Sequence, residues 1–209
     1  MKEITLRSSH RGPSRIDFTI WTVLVPLLSS GMVISISYQL TAAAICNSVV
    51  LIVSIGIVQI LLQNLAGIFA GFDNALGVSA YGSLGMAIGE LVKGRHTPSC
   101  CISIFNLEAL YSWPTLLMFI FCLMSGEIIM RLKHQGHNHR MLHCNWTTLP
   151  LMYIGMCLAG KYLTPSIRAL FGELLGSNWS MFFGMLGAHF CVTPWHWSRS
   201  ISQTGILRT

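Results

Sequence analysis

From Phe18 to Leu62 the chain carries no charged side chain, and Ile, Leu and Val recur throughout. The hydrocarbon core of a bilayer is about 30 Å thick and takes roughly 20 residues of helix. This run is too long for one crossing and divides into two, 18–39 and 42–62, at the weak interruption Tyr38–Thr41. In lipid every backbone polar group must be satisfied within the protein, which leaves helices and closed barrels. Barrel strands are short and alternate in polarity, whereas these apolar runs are long and continuous, so the spanning element is the helix. Only 10% of residues are charged, against roughly 25% in an ordinary soluble domain. With a mean hydropathy of +0.61, the chain lacks the charge to clothe a water-facing surface. A soluble enzyme, a disordered chain and a secreted disulfide scaffold are thereby excluded.

Four further segments follow. Residues 63–74 connect to a third apolar segment, 75–92, in which Ser79, Gly82, Gly85 and Gly89 recur at spacings of three and four. Small residues at that spacing let a second helix approach closely in lipid. A loop with Pro98 leads to a fourth helix, 107–132, then to the polar stretch 131–145, a fifth segment 147–163 and a last segment 169–193. The basic start, the apolar stretch and Ala42–Ala44 imitate a signal peptide, but the apolar stretch exceeds the usual length of about 7–15 residues, so the segment reads as a retained first helix. The expected architecture is therefore all-α: a polytopic integral membrane protein with five or six transmembrane helices. Residues 1–17 form a basic cytoplasmic segment, 18–193 the membrane domain and 194–209 a polar tail.

The net charge of +6 comes from 13 basic and 7 acidic residues. The basic ones lie mostly in termini and short loops, where they set topology and meet lipid headgroups, so nucleic-acid binding is not expected. With six helices and an inner N-terminus, the inside holds Lys2, Arg7, Arg11, Arg15, Arg131, Lys133, Arg140, Arg199 and Arg208, and the outside only Lys93, Arg95, Lys161 and Arg168. The positive-inside rule then places both termini in the cytoplasm. Trp21, Trp113, Trp146, Trp179, Trp195 and Trp197 fall near expected helix ends, as in an interfacial belt.

Candidate chemistry is sparse. His134, His137, His139 and His143, with Cys144, have the density of a zinc, nickel or copper site. Arg131, Lys133 and Arg140 oppose a second cation, however, and no carboxylate is at hand to orient a ligand. That loop reads as solvated, with no metal or cofactor. Glu90, Glu127 and Glu173 share a Gly-Glu-aliphatic pattern. Acids in apolar segments are functional candidates by default. Glu90 has Lys93 three residues on and Glu127 has Arg131 four on, both helical pairing distances. Arg168 and Glu173 stand five apart, a poor helical spacing, and are expected to seek partners elsewhere; they are the candidates for an ion path or partner contact. No metalloprotease, hydrolase-elbow or P-loop motif is present. His96 with Cys100 or Cys101 offers a thiol and a base but no third orienting group, so no catalytic residue is assigned. The seven cysteines contain no CxxC and no legible disulfide framework.

Across 59–176 the chain resembles small inner-membrane subunits of type IVB secretion and conjugation machines, the IcmC/DotE-like and TraQ-like proteins. The resemblance rests on a Gly-rich membrane helix, a basic polar loop, and a second helix ending near Leu-Pro or Thr-Pro-Ser and Phe-Gly. The matching residues are Gly82, Gly85, Lys133, His134, Pro150, Thr164, Pro165, Ser166, Phe171 and Gly172. The His-rich loop and the extra fourth helix depart from that pattern. The resemblance implies a non-enzymatic structural subunit in the bacterial inner membrane, with other membrane subunits and the lipid bilayer as partners. A second stretch, IRALFGELLGSNWSMFF, is similar to the Arg-bearing helix of the proton-channel a subunit of rotary ATP synthases. There Arg168, Leu170, Phe171 and Gly176 match and Glu173 stands where Asn is usual, which implies an ion-translocating subunit.

Overall fold

A computed structural model describes residues 15–37, 40–64, 72–93, 111–133 and 144–205. Among them all regular structure is helical, in seven helices. We label them α1 (15–37), α2 (Ala42–Asn64), α3 (Phe72–Lys93), α4 (Trp113–Lys133), α5 (Cys144–Tyr162), α6 (Thr164–Phe171) and α7 (Glu173–Gly205). Three stretches are long and apolar enough to cross a membrane: Ile16–Ile36, Ala42–Leu61 and Asn74–Lys93. A shorter apolar stretch, Trp113–Gly126, lies in α4.

Local chemistry explains the boundaries. In α1 the turn Ile20–Leu24 is π-helical, closed by the Val25 N–H on the Ile20 carbonyl. Pro26 follows directly. A proline ring clashes with the carbonyl four residues back, and a widened turn relieves such a clash. Thr41 caps α2, its hydroxyl accepting the Ala44 N–H at 3.3 Å. Ser112 precedes α4, its hydroxyl 3.1 Å from that of Thr115, and Pro114 occupies the first turn, where its missing N–H costs nothing.

Several boundaries differ from those expected. Helix α3 starts at Phe72, which brings Asp73 into its first turn rather than a loop. Helix α4 starts at Trp113. Helix α5 starts at Cys144, inside the stretch read as a polar loop. The expected last segment, 169–193, is broken at Gly172, and its second half runs as helix through Pro194 to Gly205. Residues 194–205 of the expected polar tail thus continue α7.

Specific contacts fix how the helices run. Leu24 lies against Gly56, while Ser30 and Ser48 both meet the Asn178–Trp179 pair, so α1 and α2 are antiparallel. Down α3, Gly77, Gly82, Gly85 and Gly89 meet Ile129, Cys122, Leu117 and Pro114 in turn, so α4 is antiparallel to α3. Gly155 meets Gly184 and Ala188, and Gly184 meets Ala159, which makes α5 and α7 a third antiparallel pair.

The bundle is apolar outside and partly polar inside. Helix α2 alone exposes Ile45, Val49, Val50, Val53, Ile57, Val58 and Leu61, and α1 exposes Ile16, Ile20, Leu28, Met32 and Ile36. Buried between helices are Ser30, Ser48, Gln59, Ser79, Ser83, Ser125, Asn178 and His189. A water-soluble protein arranges these the other way. Two core clusters sit on either side of α3 and α7. One is methionine-rich (Met86, Met118, Met152, Met156, Met181, Met185); the other holds Leu27, Leu76, Phe171, Trp179 and Phe182.

Candidate functional site

Two features concentrate what the chain can do: the close helix crossings and the break at Gly172. At the first crossing α3 presents Gly85 and Gly89 to the α4 backbone. A Cβ on Gly85 would stand 2.5 Å from the Leu117 carbonyl oxygen and 3.0 Å from the Met118 Cα; one on Gly89 would strike the Pro114 backbone. Gly82 is covered by two sulfurs, Cys122 Sγ and Met185 Sδ, each 2.9 Å from the Cβ position. Ser79 lies off this face; it is fully buried. The Cys122 thiol donates to the Val78 carbonyl at 3.6 Å across the same interface.

A second crossing of this kind joins α5 to α7, and the sequence reading did not single it out. Gly155 and Ala159 face Gly184 and Ala188, and a Cβ on either glycine would strike the other's carbonyl oxygen. Both helices carry a small residue at i and i+4, and that pairing was the signal available in the sequence.

At the break, Gly172 has φ 77° and ψ 176°, a conformation open in practice only to glycine. The chain therefore stops at Phe171 and restarts at Glu173, with the Gly172 N–H on the Arg168 carbonyl and the Gly176 N–H on the Gly172 carbonyl, both at 2.9 Å. Gly176 lets the α6 backbone settle on α7, a Cβ there falling 2.7 Å from the Arg168 Cα. This fold-back brings Arg168 and Glu173 together, Nη1 to Oε1 at 3.7 Å. The expectation that they seek partners elsewhere assumed one continuous helix and is corrected by the break. Arg168 also donates to the Ser177 hydroxyl at 3.3 Å. The pair stands open to the surroundings, with side chains 41% and 65% exposed.

Beneath the break, polar side chains tie four helices together. Asn47 of α2 donates to the Leu170 carbonyl at 2.7 Å, satisfying a helix-end acceptor. The Trp179 indole N–H donates to Ser48 at 3.1 Å, and the Asn178 amide to Ser30 at 3.4 Å. Trp179 is only 1% exposed and packs edge-on against Phe182. It is a core residue and not part of an interfacial belt; Trp21 and Trp113 are exposed.

Of the other sequence candidates, His134, His137, His139, His143, His96, Cys100 and Cys101 lie outside the described residues, as do the side chains of Cys144, Lys133, Glu127 and Arg131. Among the described residues no three His, Cys, Asp or Glu side chains converge as a metal site. Pro150 lies inside α5, Thr164 and Pro165 open α6 with Ser166 behind them, and Phe171 closes it against Trp179. No protein-family model, curated protein or solved structure matches this chain.

Proposed function

We propose that this chain is a non-enzymatic structural subunit of a membrane complex, an inner-membrane component of a conjugation or secretion machine. In this reading it crosses the bilayer five or six times, with both termini cytoplasmic and with other membrane subunits as partners. The observation that carries it is the inverted polarity of the bundle. In particular, the Ala42–Leu61 stretch is only 28% buried, and its exposed Ile and Val side chains need lipid or another apolar helix. Helix surfaces of this kind associate through packing and small-residue contacts rather than through water exclusion, which suits a subunit held among others. The resemblance to type IVB inner-membrane subunits points the same way.

The ion-translocating reading built on Arg168 and Glu173 is disfavoured by their geometry. They neutralise one another at an exposed helix break, whereas an ion-path arginine faces a polar cavity within the membrane. As a snorkelling pair they anchor the end of α7 at the interface.

The test is to tag the full chain, extract it in mild detergent and identify cross-linked partners by mass spectrometry. Discrete membrane partners in fixed ratio are expected; a monodisperse single chain without partners would overturn the reading. Reporters active on one side of the membrane, fused to each terminus, should give the same cytoplasmic signal. Substrate turnover lost in Cys101→Ala would establish the thiol-enzyme alternative instead.

A further inference from the structure

Helical serines and threonines ordinarily return their hydroxyl to a carbonyl three or four residues back. Thr22, Ser30, Ser35, Ser54, Ser125 and Ser180 do so here, at 2.7–3.0 Å. Ser79 and Ser83 do not. Both side chains are fully buried, and neither hydroxyl has a hydrogen-bond partner. Two turns beyond Ser83, both carboxylate oxygens of Glu90 are buried and accept no hydrogen bond. At about 100° per residue these three side chains lie within about 40° of one another on α3.

The residues flanking that sector turn it towards α7. On one flank Gly82 touches Met185. On the other, Leu76, Ala80 and Ala87 cluster with Trp179 and Phe182. The answering stripe on α7 is Asn178, Phe182, Met185 and His189, all buried and within about 60° of one another by the same periodicity.

The register follows from the contacts. Gly77 sits at Thr22 of α1 and Asn178 at Ser30, levels about 12 Å apart on α1. Met185 lies only about 10 Å along α7 from Asn178. If α3 ran against α1, Gly82 would be carried about 20 Å from Asn178's level, out of Met185's reach. Helix α3 therefore runs with α1, and Glu90 lies towards the Asn178 end while Ser79 lies towards the His189 end. From Glu90 to Ser79 is about 16 Å along the helix, roughly half the hydrocarbon thickness of a bilayer.

Unpaired polar groups in a membrane interior are costly and mark paths for water, protons or ions. We propose that the α3–α7 seam is a hydrated proton track with Glu90 as its proton-accepting entrance. Hydronium at the mouth protonates the Glu90 carboxylate and leaves water. The carboxylic acid then returns its proton to water on the Ser83 side, and the Ser83 and Ser79 hydroxyls carry the water file inwards. Among the described residues the charged and titratable groups around it are few. Lys93 on α3 acts on Glu90 electrostatically. Helix α7 contributes His189, α4 Cys122, and α5 Tyr153 and Cys157; α1 carries Asp17 near the His189 end and no charged residue from 18 to 36. The sequence offers Glu90 as an ion-pair partner of Lys93; the burial of both its oxygens, on one helix face with two unpartnered hydroxyls, assigns it the further role.

The test is proton flux. Full-length protein is reconstituted into phosphatidylcholine–phosphatidylglycerol vesicles enclosing a pH dye, and a valinomycin potassium potential drives entry. Acidification well above protein-free vesicles is expected, falling to that background in Glu90→Gln and reduced in Ser83→Ala. Ser83→Ala removes no hydrogen bond, so it keeps the fold and carries the test even where Glu90→Gln does not; elution as a single detergent-solubilised species verifies this. Background-level flux in the unsubstituted protein would overturn the proposal. So would undiminished flux in both variants, and sodium entry without proton entry would overturn the assignment to protons.

Discussion

Replacing Gly85 by alanine should destabilise the bundle, although alanine is the better helix former. The new Cβ would lie 2.5 Å from the Leu117 carbonyl oxygen, 2.8 Å from its carbonyl carbon and 3.0 Å from the Met118 Cα. Ordinary contact begins near 3.4 Å, so α4 must retreat by about 0.5–1 Å, because backbone has no rotamer to yield. Overpacking of this kind costs about 1–3 kcal/mol. A gap of that width also forfeits about a quarter to a half of each dispersion contact along the interface. Lipid offers no hydrophobic drive to close it again. Against this, glycine to alanine gains about 0.5–1 kcal/mol of helix propensity. The net expectation is a loss of about 1 kcal/mol, with the forfeited dispersion contacts adding to it. Gly187 supplies the control: nothing lies within 4 Å of its Cβ position, so Gly187→Ala should gain the propensity term alone. Reversible unfolding in mixed dodecylmaltoside–SDS micelles, followed by tryptophan fluorescence, measures both. Opposite signs are expected. Equal shifts for the two alanines would refute the claim that Gly85 seats α4.

Four further outcomes follow from the same contacts. Gly155→Ala and Gly184→Ala each pry open one crossing, so the double variant should cost less than the sum of the singles by about 1 kcal/mol, read in the same unfolding assay; simple additivity would contradict a shared contact. Gly172→Ala should cost about 1–3 kcal/mol through backbone strain alone, since space is free there; a neutral result would mean that the break survives with negative φ. Gln59 is fully buried with both amide atoms unpartnered, so Gln59→Met should raise stability by about 1 kcal/mol, and a loss would reveal a partner for that amide. Arg168→Lys should preserve assembly of the complex, because Lys reaches the interface as well, while Arg168→Leu should impair it; failure of the Lys variant to function in a normally assembled complex would revive the ion path through Arg168 and Glu173.

The helices themselves were legible because lipid imposes one rule on every segment: a span must be apolar and must close its own backbone hydrogen bonds. The stretches 18–39, 42–62 and 75–92 accordingly coincide with α1, α2 and α3 to within about three residues. Where the chain departs from that rule, sequence patterns gave less. Gly172 looks like any other glycine among the many in these helices. Nothing local announces φ 77° until α6 is seen lying back on Gly176, and so the Arg168–Glu173 spacing was read along a helix that does not exist. Trp179 shows the same limit from the other side. Position alone puts an indole near a helix start in the interfacial belt. Only Ser48, more than a hundred residues earlier, supplies the acceptor that lets its N–H be buried.

The glycine crossings mark how far spacing can carry an argument. Ser79, Gly82, Gly85 and Gly89 share small size, yet they do different things. Gly85 and Gly89 lie on backbone, Gly82 lies under two sulfurs, and Ser79 is fully buried with no partner for its hydroxyl. A stripe of small residues states that something can come close but not which element does, and the Gly155–Gly184 crossing passed unnoticed because its residues are split between two helices. What the sequence could not contain is the pairing of stripes. The Ser79, Ser83 and Glu90 sector acquires meaning only opposite Asn178 and His189, nearly a hundred residues later. Apart from Glu90, each of those side chains is unremarkable in its own helix. Set face to face in a bundle whose exterior is aliphatic, they gather polar groups where lipid-facing physics would place none, which is the reason to look for protons there.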